Sequence, residues 1–309
     1  MNSTNPSTTT VSLVLGSGGA RGNAHIGVIK AIEERGLDIR NLAGCSMGSL
    51  IGGVYAAGEL ETYKDWAYSL TSSDVLRLLD FSFSRRSLFR GERVFDVMKS
   101  LIGDYQIQQL DRGFTAVATD IDNQNEVWLS RGSLFRAIRA STAVPGLLNP
   151  VEDGDRLLVD GGLVNPIPIA PTLNDATDLT IAVNLNSMTE PYQPEPSIGE
   201  DPDDDGETGY RKRILDFITD LTGSNNSDRD TPHAAELMTR SFDVMQGSIA
   251  RLKLAAYAPD KVIEIPRDAC TFFEFDRAEE MAELGYRKTV EALDSLEARK
   301  RLRSRSGKD

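Results

Sequence analysis

Apolar and polar positions divide the chain into short runs of strand character separated by longer stretches at helical spacing. Val11-Ser12-Leu13-Val14-Leu15 is an apolar run of strand length that stops at a glycine cluster, Gly16-Ser17-Gly18-Gly19-Ala20-Arg21-Gly22. Ile26, Ile29 and Ile32 then recur at helical spacing, and Gly36 follows Glu33-Glu34-Arg35 as the stop expected past a helix end. The plan repeats at once. Ile39 to Ala43 predicts a strand, Gly44 to Gly48 a tight turn, and Leu50 to Ala57 an apolar helix ended by Gly58. Helical material is predicted over 62–110. Two strands, 115–120 and 126–129, flank an Asp-Asn turn; a helix is expected from Leu134 to Ala140 and a turn at Pro145-Gly146. Arg156 to Val159 predicts a strand running into Asp160-Gly161-Gly162, and Leu179 to Leu185 a further buried strand.

Past Ser187 the composition shifts to Pro, Glu, Asp and Gly, including Glu200-Asp201-Pro202-Asp203-Asp204-Asp205, where prolines and like charges oppose packing. Ile214-Leu215 and Phe217-Ile218 give a short amphipathic stretch inside it. A helix through Arg251, a strand over Val262 to Ile265 and a last helix carrying Met281, Leu284, Val290, Leu293 and Leu296 complete the pattern. The expected organisation is a loose tail (1–10), a core (11–186), an acidic flexible insertion (187–232), a helix-strand-helix segment returning to the core (233–298) and a basic tail (299–309). No solenoid-type repeat is visible.

Length sets a prior of roughly two domains, with a single α/β core equally in range. Asp+Glu 47 against Lys+Arg 34 gives a net charge of -13, which disfavours nucleic acid as the main partner. Two cysteines, Cys45 and Cys270, are too few for a disulfide framework and lack metal-site spacing, so no metal is expected and a reducing, cytoplasmic location fits. The first ten residues lack the basic start and apolar stretch of a secretory signal. Asn41 to Gly58 is uncharged over 18 residues, long enough to raise a membrane span. Its serines and repeated glycines point instead to a close-packed turn and helix.

The most specific chemical signal is Gly44-Cys45-Ser46-Met47-Gly48, a G-x-S-x-G string between a predicted strand and a predicted helix. At such a turn the serine hydroxyl projects clear of the sheet and the helix N-terminus favours developing negative charge, which marks Ser46 as a candidate nucleophile. The alternative is a Gly/Ser-rich turn in which Ser46 merely caps a helix. Activation needs a base, and the sequence offers only two histidines. His233 lies in the segment read as flexible, and His25 one turn into the first helix, so neither is taken as the base. Asp160 ends an apolar strand and precedes two glycines, where a carboxylate can face the crevice at the carboxyl edge of a sheet; an ordinary Asp-Gly turn is the competing reading. Gly18, Gly19 and Ala20 sit where outward N–H groups could bind an oxyanion, and Arg21 adds positive charge. A dinucleotide fingerprint begun at Gly16 would want glycine at position 21 and meets Arg21, so no nucleotide cofactor is expected.

Four blocks in this order, Gly16 to Gly27, Gly44 to Gly48, Ala140-Ser141-Thr142-Ala143-Val144-Pro145-Gly146 and Asp160-Gly161-Gly162, make the chain resemble the patatin-like phospholipase family. The resemblance is to its bacterial branch, similar to the catalytic domain of neuropathy target esterase, and covers most of Val11 to Leu185. It implies a three-layer α/β/α fold with a central, mostly parallel sheet. It also implies a serine–aspartate pair, with Ser46 as nucleophile, Asp160 as base, and Gly18 and Gly19 in the oxyanion hole, to which the reading of the loop itself adds Ala20 and Arg21. Ser17 departs from the pattern, since many relatives have another glycine there.

The substrate implied is a lipid or other acyl ester. Leu50, Ile51, Val54, Leu147 and Leu148 are candidates to line an acyl slot, or plain core. Phe81 to Arg90, with Arg85, Arg86 and Arg90 among phenylalanines, has the composition of a peripheral contact at the inner membrane surface, or of an ordinary loop. A scaffold that keeps the fold for partner binding is the competing function class, and an acyltransferase would share the first half-reaction.

Overall fold

The computed structural model describes residues 8–78, 92–188, 191–193 and 234–306. Strand β1 (Thr10–Leu15) is buried from Val11 onward, as an apolar run inside a parallel sheet must be. β2 (Asp38–Cys45) and β7 (Leu179–Ser187) pair with it in parallel on either side. β3 (Gly113–Asp120) continues the parallel sheet beyond β2, and β8 (Lys261–Pro266) does so beyond β7. The rim is antiparallel. β4 (Asn125–Leu129) folds back on β3, and a hairpin of β5 (Val151–Asp153) and β6 (Arg156–Asp160) also joins β3.

Successive strand residues face opposite sides of a sheet, and the core divides accordingly. Leu13, Leu15, Ile181 and Val183 belong to a large cluster with residues of α1 (Ala24–Glu34), α2 (Met47–Ala56) and α8 (Ala278–Ser306). Val14 and Ala182 face the other way and pack with Ile167, Ile169 and Ala250, the last on α7 (Ala234–Tyr257). Helices therefore cover both faces of a mostly parallel sheet, the expected α/β/α layering. α1 and α8 approach until their backbones touch. A Cβ on Gly27 would stand 1.8 Å from the Ala282 carbonyl oxygen, and one on Gly285 2.0 Å from that of Ala24, so no larger residue fits either site without parting the helices.

The stretch expected to be helical resolves into α3 (Leu60–Tyr68), α4 (Ser72–Leu78), α5 (Glu92–Ile102) and a 3-10 turn at Ile107–Gln109. α6 (Leu134–Ser141) follows the β3–β4 hairpin. β5 has no sequence counterpart; three residues are too few to show a period. α8 runs on through Arg299 to Ser306 where a tail is expected, its Lys and Arg residues suiting the negative end of a helix dipole. The uncharged stretch is the end of β2 and the wholly buried α2. Among the described residues no helix is long and apolar enough to cross a membrane. The Phe81 to Arg90 patch, most of the acidic insertion and His233 lie outside the described residues.

Candidate active site

Strand register brings the two candidate residues together. β2 pairs with β3 as far as Cys45↔Val117, and the next residue of β3, Ala118, pairs with Asp160 at the end of β6. β4 occupies the opposite edge of β3 from Ala116 to Asp120. β2 and β6 thus lie end to end along one edge, pointing at each other. Ser46 follows β2 directly, and its Oγ donates a hydrogen bond to Asp160 Oδ2 at 2.6 Å.

Ser46 turns the chain from β2 into α2 with φ 54° and ψ -124°, a backbone region that costs a serine on the order of 1–3 kcal/mol. The flanking glycines let strand and helix close on it. A Cβ on Gly48 would stand 2.1 Å from the Leu15 carbonyl oxygen, and one on Gly44 2.4 Å from that of Gly48. The Ser46 N–H donates to Ser141 Oγ at 3.0 Å, and Ser141 donates to the Val117 carbonyl at 2.6 Å. The last residue of α6 therefore ties the turn to β3.

Asp160 is fully buried. Its Oδ1 accepts the Gly162 N–H at 2.7 Å, and Thr119 Oγ1 donates to its backbone carbonyl at 2.9 Å. Burial pushes its carboxyl up to about 7, against the opposing effect of the Ser46 and Gly162 hydrogen bonds. Burial likewise raises the neighbouring Cys45 thiol well above its ordinary range, so it is a neutral packing group. His25 is buried and its ring lowered to about 4 by desolvation. A neutral imidazole with Nε2 2.9 Å from the Gly16 carbonyl oxygen donates its proton there, and holds the start of the glycine loop.

The four loop residues divide. Gly18 and Gly19 have no acceptor for their N–H groups among the described residues, and Gly19 and Ser46 line the same cavity. Ala20 and Arg21 depart from the oxyanion expectation. The Ala20 N–H donates to the Phe272 carbonyl at 3.0 Å. The Arg21 guanidinium turns inward, to Asp243 at 3.1 Å, Asn186 Oδ1 at 3.4 Å and the Cys270 and Arg267 carbonyls at 3.1 and 3.2 Å, because a buried cation must be paired.

The cavity has a volume of about 150 Å³ and opens to solvent. Of the five residues left between acyl slot and core, Leu50, Leu147 and Leu148 line the cavity, and Ile51 and Val54 are core. Sequence reasoning missed Trp66, Phe95, Met98 and the Phe272-Phe273 pair in its wall, which come from segments with no distinctive local signal. It also assigned no role to Ser141, though a serine on the buried face of a helix needs a partner. Among the described residues no group of His, Cys, Asp or Glu is placed to hold a metal ion.

The chain is similar to known proteins. An uncharacterized NTE family protein of Mycobacterium tuberculosis is 38% identical over 93% of this chain and 92% of its own length. A second from that species is 31% identical over 92% of this chain and 47% of its own length. Patatin-like phospholipase domain-containing protein 6 of Mus musculus is 37% identical over 59% of this chain, a span that is 14% of the mouse protein. The family profile described as patatin-like phospholipase matches residues 13–173, which include the glycine loop, the Ser46 turn and Asp160. The chain belongs to the patatin-like phospholipase family, whose membership implies lipid-hydrolase activity.

Proposed function

We propose that this protein is a serine esterase that hydrolyses the acyl esters of phospholipids or lysophospholipids through a Ser46–Asp160 pair. The observation carrying the proposal is the 2.6 Å hydrogen bond between the two side chains, beside an apolar cavity that Ser46 lines. Asp160 takes the hydroxyl proton as Ser46 attacks the ester carbonyl. The N–H groups of Gly18 and Gly19 receive the oxyanion of the tetrahedral intermediate. The alcohol leaves, an acyl-enzyme remains, and water activated by the same carboxylate releases the fatty acid. A carboxyl near pH 7 is well matched to the task, since a base tuned close to working pH combines the right protonation state with driving force.

The cavity supports an acyl chain as the recognised group. Its lining is almost wholly hydrocarbon, with Ser46, Asn23 and Thr142 among the few polar residues that reach it. Peripheral contact with a lipid surface and a cytoplasmic location complete the reading. The test is to assay wild type and Asp160→Asn in parallel on short p-nitrophenyl esters, lysophospholipids and diacyl phospholipids. Hydrolysis of acyl substrates by wild type and a loss on the order of 10³–10⁴ in the variant are expected. Equal rates in the two proteins would reject the pair as the catalytic device.

A further inference from the structure

The glycine loop is anchored on both sides of the Gly18 and Gly19 N–H groups, which have no acceptor among the described residues, and both anchors lead to α7. Before Gly18, Ser17 Oγ donates to Gln246 Oε1 at 2.7 Å within the buried interior. After Gly19, Arg21 reaches Asp243 at 3.1 Å. Asp243 and Gln246 are three apart, so they share one face of the helix, and that face continues through buried Ala250 into the second core cluster. Ser17 is held at its other polar atoms too. Its N–H donates to the Pro166 carbonyl at 2.8 Å, and its own carbonyl accepts Asn186 Nδ2 at 3.2 Å.

Gln246 also touches the other half of the site. A Cβ on Gly162 would stand 2.2 Å from Gln246 Nε2, 2.9 Å from Ser17 Oγ and 3.0 Å from Asp160 Oδ1. The glutamine amide, the loop serine and the carboxylate thus surround one point above the Gly162 turn. Gln246 is 2% exposed, and the Ser17 hydroxyl satisfies its Oε1 as a buried polar atom requires.

We propose that Gln246 is a positioning residue of the active site. Through Ser17 it sets where the Gly18 and Gly19 N–H groups stand, and against the Gly162 turn it fixes their separation from Asp160. The proposal rests on the reading of Ser46 as nucleophile. It gives α7, which enters the chain after the acidic insertion, a part in the reaction without contact to substrate. It also gives Ser17 a purpose that glycine at that position could not serve, since glycine has no hydroxyl to offer.

The test compares wild type, Ser17→Ala, Gln246→Leu and the double variant in the full chain. Readouts are kcat and KM on a short p-nitrophenyl ester, the rate of fluorophosphonate labelling of Ser46, and thermal unfolding. Misplaced donors lower kcat and labelling rate on the order of tenfold to a hundredfold with KM little changed. Because both residues act through one hydrogen bond, the double variant falls no further than the worse single one. Gln246→Glu adds a negative charge beside the Asp160 turn and moves the acidic limb of the pH–rate profile to higher pH. Should Gln246→Leu fail to fold, Ser17→Ala, which removes a single hydroxyl, carries the comparison. Rates within twofold of wild type in Ser17→Ala, losses that multiply in the double variant, or a change confined to KM or to unfolding temperature would each overturn the proposal. Labelled, active wild type with unaffected variants removes this inference alone, whereas wild type that forms no Ser46 adduct removes the esterase reading with it.

Discussion

At the scale of single residues, the decisive feature is a carboxylate buried with no cation beside it among the described residues. Asp160 has a hydroxyl and a peptide N–H for partners, and burial outweighs them, so its carboxyl titrates at about 7. Activity should therefore fall about tenfold per pH unit below 7 with a single apparent pKa near that value, measured as kcat/KM on a neutral ester. A flat profile from pH 5 to 8 would contradict this. Stability carries the same signature with a defined sign. The folded pKa lies above the ordinary value of 3.8, so this residue costs nothing below that pH, and its cost grows as pH rises to 7. His25 works in the opposite sense: its pKa is lowered to about 4, and the stability present above its ordinary 6.5 is lost as pH falls toward 4. Because His25 is common to both proteins, Asp160→Asn isolates the aspartate. The variant should gain roughly 1–3 kcal/mol over wild type at pH 8, and much less at pH 5, by chemical denaturation. The serine, the aspartate and the two glycines were legible because each stood in a motif with its own backbone reason. The inward turn of Arg21 was not, since its partners Asp243, Asn186 and Cys270 lie far along the chain.

At the scale of elements, the site exists because β2 and β6 meet head to head along β3. The strands themselves could be read from apolar runs, but their directions could not. β6 is antiparallel because the short β5 hairpin sends it back, and a three-residue strand leaves no periodic trace. α6 then braces the junction through Ser141. Ser141→Ala leaves the Ser46 N–H and the Val117 carbonyl without their partner, and the loss of buried hydrogen bonds should cost about 1–3 kcal/mol. The freed turn should also lower kcat by on the order of tenfold. Unchanged unfolding and unchanged turnover would show that the serine is dispensable.

At the scale of the whole molecule, segments on both sides of the acidic insertion build one sheet and one core. β8 pairs with β7, and α8 packs on α1 through glycines. The helix-strand-helix return after the insertion was legible from its apolar runs, whereas the identity of its partner strand was not, because a parallel pairing across so long a separation has no local signature. The same assembly builds the cavity, whose wall joins α2, α3 and α5 to the Phe272-Phe273 segment near the C-terminal end. Filling it should change substrate choice before chemistry. Leu148→Trp should lower kcat/KM for long-chain p-nitrophenyl esters on the order of tenfold while sparing the acetate, and an equal effect on both would remove the cavity as the acyl site.

The most direct measurement is the mapping of a covalent adduct. Folded protein treated with a fluorophosphonate should carry one phosphonyl group, located by peptide mass spectrometry on Ser46, and Asp160→Asn should label far more slowly. Modification of a different serine, or intact protein left unlabelled, would contradict the account at its centre.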